Sequence, residues 1–316
     1  MKPKKYVVVT GSNGLVGYNL SKVLLDRGYS VFGTFFKSNK NTIILNDHKL
    51  FSCNKVDLRC SKSVNNFLKD KKVDCVFHTA ARLPTSSTDE DKLFFEHNSR
   101  ATEILLKACV KYGIQRFIMS STISVYGGDV MLDYPLNERY LPIPVSAYAH
   151  SKLLAEEHCN QFSRKSSLNV CTLRYSGIYG ITRESGVVYN FTRNALANND
   201  LLIKKDKIKD IISVEDVVDA NISAYLLLDE IGSTIFNIGS GDPISVSELA
   251  KHIIRRTNSD SKIMFESSKE VSSSRYYDIS KARKILEFNP NSTKKAINKF
   301  IINFQQNKRN ISEKNS

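Results

Sequence analysis

Residues 6–17 read Tyr-Val-Val-Val-Thr-Gly-Ser-Asn-Gly-Leu-Val-Gly, and this stretch decides the fold. The apolar, β-branched run Tyr6–Thr10 predicts a short buried strand. Three glycines at spacings of three residues follow it: Gly11, Gly14 and Gly17. The segment Leu15–Arg27 then carries apolar residues at helical spacing until Gly28 ends it. A strand, a glycine-rich turn and a helix in this order predict a dinucleotide site, because the glycines let the backbone approach a pyrophosphate and the helix offers unpaired N–H groups.

Strand-like and helix-like segments continue to alternate beyond this turn. The further predicted strands are Ser30–Phe36, Lys49–Val56, Val73–Thr79, Arg116–Ser121, Val170–Tyr175, Asp210–Val214 and Ile235–Ile238. The further predicted helices are Ser63–Lys71, Lys92–Tyr112, Tyr148–Arg164, Val217–Leu228 and Val246–Arg256. This alternation predicts an α/β fold, a Rossmann-type doubly wound parallel sheet with helices on both faces and a smaller C-terminal substrate-binding region.

The order of these segments also predicts how the chain divides. We expect residues 1–180 to form an NAD(P)-binding Rossmann domain to which residues 210–241 return. The remainder of 181–316 is expected to be mainly substrate-binding. From about Gln305 onward the sequence is polar, which predicts a frayed tail.

Composition narrows the functional classes. With 316 residues, 41% apolar and 25% charged, the chain is neither disordered nor collagenous nor a coiled coil. Its formal net charge of +14 predicts attraction for anions such as nucleotides, phosphorylated small molecules, nucleic acid or acidic lipid. The six cysteines are scattered without a CxxC pair, which predicts a reducing compartment and no metal site. No apolar run has the length of a signal peptide or a membrane span, so we expect a cytoplasmic protein without a membrane partner.

Several motifs together resemble one known family. Besides the Gly-x-x-Gly-x-x-Gly turn, they are Ser120–Gly127 (SSTISVYG), Tyr148–Lys152 (YAHSK), Leu173–Gly180 (LRYSGIYG), Lys209–Val217 (KDIISVEDV), Phe236–Leu249 and Arg275–Pro290. In this order and spacing they resemble the extended short-chain dehydrogenases/reductases of the NAD-dependent epimerase/dehydratase family. The resemblance extends over almost the whole chain.

The resemblance implies a catalytic set of Thr122, Tyr148 and Lys152. Tyr148 and Lys152 are four residues apart, so on a helix both lie on one face. A free tyrosine has a pKa near ~10, and a neighbouring cation such as Lys152 lowers the pKa toward neutral pH. Tyr148 would then exchange the proton while hydride moves to or from a nicotinamide, with Thr122 binding the oxygen of the reacting carbon.

The resemblance also implies the residues of the cofactor site. They are Gly11, Asn13, Gly14, Leu15, Gly17, Asp57, Leu58, Thr79, Ala80, Ala81, Asn98, Tyr148, Lys152, Tyr175 and Ile178. The second strand ends without the Asp or Glu that binds the adenosine ribose in NAD-selective sites. Lys37 and Ser38 stand there instead and suit a 2′-phosphate, so NADP(H) is favoured over NAD(H) as cofactor.

Members of this family mainly process nucleoside-diphosphate sugars, which implies a nucleotide-sugar substrate. Its contacts would include Thr122, Lys209 and Arg275, although Lys209 replaces a family Arg and cannot bind phosphate bidentately. Family members commonly dimerise through two helices each, so we expect a homodimer formed by Lys92–Tyr112 and Tyr148–Arg164.

Three reactions and one other class of function remain to be compared. Sugar dehydration is disfavoured, because Ile123 and Ser124 stand where dehydratases carry an acid and a base. Reduction of a 4-keto sugar is favoured over 4-epimerisation with tightly bound NAD, since the second strand lacks a carboxylate. The alternative of another class is a non-catalytic dinucleotide sensor or RNA-binding protein. The densest basic run, 204–209, lacks aromatic residues for base stacking, so we expect no nucleic-acid partner.

Overall fold

A computed structural model of the chain describes residues 5–37, 43–84, 90–127, 135–266 and 274–314. Its strands are β1 (Tyr6–Thr10), β2 (Ser30–Phe35), β3 (Phe51–Lys55), β4 (Cys75–His78), β5 (Arg116–Thr122), β6 (Asn169–Tyr175), β7 (Gly177–Tyr179), β8 (Leu201–Ile203), β9 (Ile208–Lys209), β10 (Ile211–Ser213), β11 (Thr234–Ile238), β12 (Ile244–Ser245), β13 (Ile263–Phe265) and β14 (Ser274–Arg275). Its helices are α1 (Leu15–Asp26), α2 (Ile43–Asn46), α3 (Ser61–Leu68), α4 (Asp91–Phe94), α5 (Ala101–Lys111), α6 (Ala147–Lys165), α7 (Val187–Ala195), α8 (Val214–Ile231), α9 (Val246–Thr257), α10 (Ser280–Ile285) and α11 (Thr293–Lys314).

A seven-stranded sheet organises the molecule, with the strand order β11-β6-β5-β4-β1-β2-β3. Every neighbouring pair in it is parallel. The strand order reverses between β1 and β4, and in such sheets a crevice opens there at the carboxyl ends of the strands. The predicted α/β fold, a Rossmann-type doubly wound parallel sheet, is therefore confirmed.

Both faces of the sheet are covered, which explains why its strands are almost continuously apolar. Val7 and Val9 of β1 pack in one buried cluster with residues of α1 and α8, whereas Val8 packs in another with residues of α3, α5 and α6. Because side chains alternate along a strand, the same short run supplies both cores.

The predicted helix Lys92–Tyr112 is divided in the structure. It begins as α4, continues as a π-helical segment, Phe95–Arg100, and ends as α5. A π-helical turn has one extra residue, so the side chains on either side of it are rotated relative to a regular helix. The sequence carries no apolar spacing that signals this turn, and it changes where His97 and Asn98 point.

The later part of the chain returns to the sheet and then forms its own core. Strand β10 pairs with β7 outside the large sheet. Helix α8 then packs on the large sheet, and β11 joins that sheet beside β6. A further buried cluster joins apolar residues of α7, α9 and α11. The frayed tail predicted from about Gln305 onward is wrong over the described residues, since α11 runs to Lys314. Before that point, its apolar residues Ile297, Phe300 and Phe304 are buried.

Candidate functional site

A cavity of about 700 Å³ lies along the carboxyl ends of the sheet strands. Its wall includes the glycine-rich turn, the residues after β2 and β4, the end of β5, the start of α6 and the segment after β6. These segments are far apart in sequence, and the parallel sheet brings their ends to one edge. A cavity of this size and position suits a ligand as large as a dinucleotide.

The glycine-rich turn requires glycine at two places. Gly11 has φ +66°, in the left-handed region, and a Cβ there would lie 2.8 Å from the Cα of Ala80. A Cβ on Gly17 would lie 2.2 Å from the carbonyl oxygen of Gly11. Helix α1 starts after Gly14 without a side-chain cap, so its first N–H groups face the cavity beside Leu15. This turn therefore fits a pyrophosphate.

An arginine organises the end of the cavity next to β2 and β3. The Arg59 Nε and Nη2 atoms donate to the two carboxylate oxygens of Asp57, each at 2.9 Å, and hold the pKa of this carboxyl below its usual value. The Arg59 guanidinium lies 5.0 Å from the ring centre of Phe36, and its Nη1 donates to His97 Nε2 at 3.2 Å. Burial lowers the pKa of His97, as do the nearby charges of Arg59 and Arg82.

A buried histidine connects the segments under the turn. His78 Nδ1 lies 2.8 Å from Thr10 Oγ1, and His78 Nε2 lies 2.9 Å from Thr102 Oγ1. Because the Thr102 hydroxyl donates to the Asn98 carbonyl at 2.5 Å, it accepts from Nε2–H, and Nδ1 accepts from Thr10. The network thus assigns a neutral imidazole. Burial, with a smaller contribution from the charge of Lys152, lowers the pKa of His78 to about 3.

The predicted catalytic residues meet at the end of β5. Tyr148 and Lys152 lie in the first turns of α6, and Thr122 ends β5. All three side chains line the cavity. Lys152 Nζ donates to the Ser120 carbonyl at 2.5 Å, and the Thr122 hydroxyl donates to Ser124 Oγ at 3.1 Å. Helix α6 begins here because Ser146 caps it by accepting from the Ala149 N–H.

The expected lowering of the Tyr148 pKa by Lys152 is not found. Burial raises the pKa of Tyr148 to about 12, and the groups that oppose this are the Thr122 side chain and, through its charge, Arg183. The Lys152 ammonium is directed at a carbonyl instead, and burial lowers its own pKa to about 8. The cation that lowers the proton affinity of the tyrosine is thus Arg183, which also lines the cavity.

Most of the residues expected at the cofactor site line the cavity. They are Gly11, Asn13, Gly14, Leu15, Gly17, Lys37, Asp57, Leu58, Thr79, Ala80, Ala81, Tyr148, Lys152, Tyr175 and Ile178. Ser38 lies outside the described residues. Asn98 is fully buried and does not line the cavity. Its side-chain oxygen accepts from the Arg82 N–H at 2.8 Å, and its Nδ2 donates to Ser151 Oγ at 3.0 Å. The π-helical turn directs it there.

The residues expected to bind the diphosphate lie elsewhere. The backbones of Lys209 and Arg275 are register partners in a small sheet of β12, β9 and β14. Neither residue lines the cavity, and the side chain of Arg275 is outside the described part of the structure. Among the described residues, no cluster of His, Cys, Asp or Glu could hold a metal ion, and no helix has the length and apolarity to cross a membrane.

The sequence prediction missed several residues of the cavity wall, among them Phe36, Arg59, His97, Thr182 and Arg183. Arg59 comes directly after the recognised pair Asp57-Leu58, so its position was the one available signal. His97 and Arg183 lie in a π-helical segment and a loop, where no periodicity indicates which side chains face inward.

Comparisons with known proteins identify the family of the chain. Residues 7–239 match the NAD dependent epimerase/dehydratase family. A UDP-N-acetyl-alpha-D-glucosaminuronate decarboxylase from Bacillus cytotoxicus is 29% identical, with 91% of this chain and 94% of that protein covered. UDP-arabinose 4-epimerase 1 from Arabidopsis thaliana is 25% identical, with 91% and 76% covered. The crystal structure of UDP-glucose 4-epimerase from Thermotoga maritima, with UDP-glucose, is 27% identical with a TM-score of 0.86, covering 96% of this chain and 99% of that one.

The match covers most of the chain, including the glycine-rich turn, β5 and the start of α6. It agrees with the parallel sheet and with the enzyme class that the motifs predicted. The chain belongs to the NAD-dependent epimerase/dehydratase family.

Proposed function

We propose that this protein is a 4-epimerase of nucleoside-diphosphate sugars, which oxidises the sugar at C4 and then reduces it again. The observation that carries the proposal is that Thr122, Tyr148 and Lys152 line one cavity together with the glycine-rich turn. Tyr148 would take the proton from the sugar hydroxyl at C4. It would return the proton after the 4-keto sugar has rotated in the cavity to present its other face. A bound nicotinamide dinucleotide supplies the hydride acceptor and donor. Thr122 would hold the sugar oxygen, and Lys152 would hold the nicotinamide ribose.

The charges of the cavity support proton exchange by tyrosine rather than by carboxylates. Among the described residues that line the cavity, Asp57 is the one carboxylate, and Arg59 neutralises it at the opposite end from Tyr148. Ser124 follows Thr122 in a short 3₁₀ turn and accepts a hydrogen bond from it at 3.1 Å. Elimination of water needs a general acid and a general base beside the sugar, and these side chains cannot supply the pair.

The second candidate is an NADPH-dependent reductase of a nucleotide-linked 4-keto sugar. The observation that favours it is the end of β2, which reads Thr34-Phe35 and continues with Phe36-Lys37, without a carboxylate. A 2′-phosphate would meet the Lys37 ammonium there rather than a repelling charge. The reductase would exchange NADP(H) with solution at each turnover, whereas the epimerase would keep NAD.

The division of the chain into two regions and its assembly into a homodimer are further proposals. Residues 1–180, joined by 210–241, would hold the dinucleotide, and the rest of 181–316 would cover the sugar nucleotide. Lys209 and Arg275 are register partners outside the cavity wall, so a diphosphate would contact them only where it extends beyond the cavity. A homodimer would form through α5 and α6, on which Val110 and Leu154 are exposed apolar residues; light scattering of the purified protein would give the oligomeric state.

One experiment distinguishes the two candidates. The purified protein is denatured and the released nucleotide is identified by mass spectrometry. Stoichiometric NAD, followed by interconversion of UDP-glucose and UDP-galactose without added cofactor, would support the epimerase. An empty site, together with NADPH oxidation that depends on a nucleotide-linked 4-keto-6-deoxy sugar, would support the reductase. Failure of both assays across UDP- and dTDP-linked sugars would overturn the proposed function.

A further inference from the structure

A buried carboxylate, that of Glu156, lies on α6 close to the catalytic residues. Glu156 follows Lys152 by four residues on α6, so the two side chains share a helix face. Its carboxylate is 5% exposed and does not line the main cavity. Oε1 accepts from Ser121 Oγ at 2.5 Å, and Ser121 itself does line that cavity. Glu156 is thus connected to the cavity wall through its hydrogen bond with Ser121.

The other partner of Glu156 is an arginine of β6. Arg174 Nε donates to both carboxylate oxygens, at 3.0 and 3.2 Å, and Arg174 Nη2 donates to Oε2 at 2.6 Å. Each of the two side chains is 4% exposed. Such bidentate geometry fixes the carboxylate in one orientation, so the hydrogen bond to Ser121 is fixed as well.

Lys152 needs an anion at this place. Its side chain is 2% exposed, and its Nζ donates to the neutral carbonyl oxygen of Ser120. A buried ammonium without an opposite charge is costly, and burial lowers the pKa of Lys152 to about 8. The charge of Glu156 is the largest influence that opposes this lowering.

We propose that Glu156 is a positioning residue for the catalytic site: it orients Ser121 at the cavity wall and supplies the anion that keeps Lys152 protonated. This inference rests on the proposed function, because the role of Lys152 belongs to that proposal. Glu156 would touch neither sugar nor dinucleotide. The charge of Lys152 interacts with the titratable groups of Cys159 and His78, and Cys159 also interacts with Glu156. Arg174 faces Glu156, and Tyr126 lies against Arg174. Tyr148 and Tyr175 line the same cavity as Lys152.

The test compares Glu156→Gln with Glu157→Gln, which removes the same charge from the next position of α6, where the side chain is exposed. The dissociation constant of NAD(H) is measured by protein fluorescence as a function of pH, without any sugar. The loss of Lys152 protonation weakens binding as pH rises through the pKa of Lys152. Because the Glu156 anion raises that pKa, Glu156→Gln is expected to move the weakening to lower pH, by about half a unit or more. Glu157→Gln is expected to keep the wild-type profile.

A purely structural role would lower stability without moving the pH profile. An unchanged midpoint in folded Glu156→Gln, or equal shifts in both variants, would overturn the inference while leaving the proposed function intact. A wild-type protein that binds no dinucleotide would instead overturn the proposed function. If Glu156→Gln fails to fold because Arg174 is left unpaired, the double variant Glu156→Gln/Arg174→Met removes both charges and is expected to shift the midpoint in the same direction by a smaller amount, because loss of the Arg174 cation opposes the effect. Ser121→Ala, which keeps the ion pair, is expected to lower turnover without moving the binding midpoint.

Discussion

Tyr148 at the start of α6 and Thr122 at the end of β5 line the same cavity. The pair joins a helix start to a strand end, so the position of the proton-exchanging oxygen depends on how α6 packs on the sheet. Burial raises the pKa of Tyr148, whereas Thr122 and the more distant charge of Arg183 lower it. The reactivity of the tyrosine is therefore determined by three segments of the chain.

Replacement of Tyr148 by phenylalanine tests the proton exchange. The ring packs edge-on against Phe94, with centroids 6.0 Å apart, and the variant keeps this packing while losing the hydroxyl. We expect turnover to fall by at least about 100-fold with dinucleotide binding unchanged. The matched control is Tyr6→Phe, at a half-exposed residue outside the cavity. Retained turnover in Tyr148→Phe would contradict the assignment of Tyr148.

Replacement of Arg183 by glutamine tests the electrostatic contribution to Tyr148. The Arg183 charge lowers the pKa of Tyr148, so its removal is expected to raise that pKa further and to move the pH dependence of kcat to higher pH. Steady-state kinetics over a pH series would measure the shift. Arg193→Gln, which removes an exposed charge on α7, is the control and should leave the profile in place. The same displacement in both variants would rule out a specific effect.

Lys37 tests the choice between the two dinucleotides. This residue follows β2, and its backbone carbonyl accepts from Asn13 Nδ2 at 3.1 Å, which holds it beside the glycine-rich turn. In Lys37→Glu the new carboxylate would repel a 2′-phosphate, so NADPH binding is expected to weaken far more than NADH binding. Titration calorimetry with both cofactors measures the ratio. Lys22→Glu on α1 is the control, and equal weakening of both cofactors by Lys37→Glu would refute NADP(H) selectivity.

His78 links stability to pH. Its pKa is about 3 in the folded protein and near 6.5 as a free side chain, so the unfolded chain binds a proton first as the pH falls. The stability that the neutral imidazole contributes is therefore complete above pH 6.5 and is lost as the pH falls toward 3. Between about pH 6.5 and pH 3, the protonation of His78 in the unfolded chain should lower the free energy of unfolding by about 1.4 kcal/mol for each unit by which the pH falls.

Urea unfolding at a series of pH values would measure that dependence. His78→Gln cannot take up the proton, so its stability is expected to fall less steeply with decreasing pH than that of the wild type. His150→Gln, at an exposed residue of α6, should keep the wild-type slope. Parallel curves for wild type and His78→Gln would show that His78 is protonated in the folded state or is not buried as described.

Gly17 tests the geometry of the turn. A Cβ at this position would lie 2.2 Å from the Gly11 carbonyl oxygen and 2.8 Å from Thr79 Oγ1, so Gly17→Ala forces the turn away from the start of α1. We expect the variant to fold and to lose most of its dinucleotide affinity, measured by fluorescence titration. Gly239→Ala would place a Cβ 2.6 Å from Asp210 Oδ2, away from the cavity wall, and it serves as the comparison for loss of packing alone.

The parts of the site that sequence reasoning predicted are local. The glycine spacing and the four-residue separation of Tyr148 and Lys152 are short-range features, and the structure brings these residues to one cavity. The location of Arg183 beside Tyr148 depends on a loop after β7, and no short-range pattern encodes it. Likewise, the hydrogen bonds of Asn98 follow from a π-helical turn, which periodicity at 3.6 residues does not reveal.

In the fold, too, the elements with a clear short-range sequence pattern were predicted and the others were not. Strands of the large sheet were predicted because a doubly covered sheet requires apolar, β-branched runs. Strands β8, β9 and β12 to β14 have two or three residues each, too few for an alternation to be recognised. Helix α11 was missed because its second half is polar, although its first half places Ile297, Phe300 and Phe304 in the core.

The position of β11 has a consequence for the newly made protein. β6 lies between β5 and β11, and the chain reaches β11 only after α7, α8 and several short strands have been synthesised. Until then the outer edge of β6 presents unpaired N–H and C=O groups, and an unprotected edge of this kind pairs readily with other chains. Phe236 and Ile238, which are fully buried in the finished protein, belong to β11, the last strand of the large sheet to be synthesised. The outer edge of β6 therefore stays open to pairing with other chains until β11 has been synthesised and has paired with it.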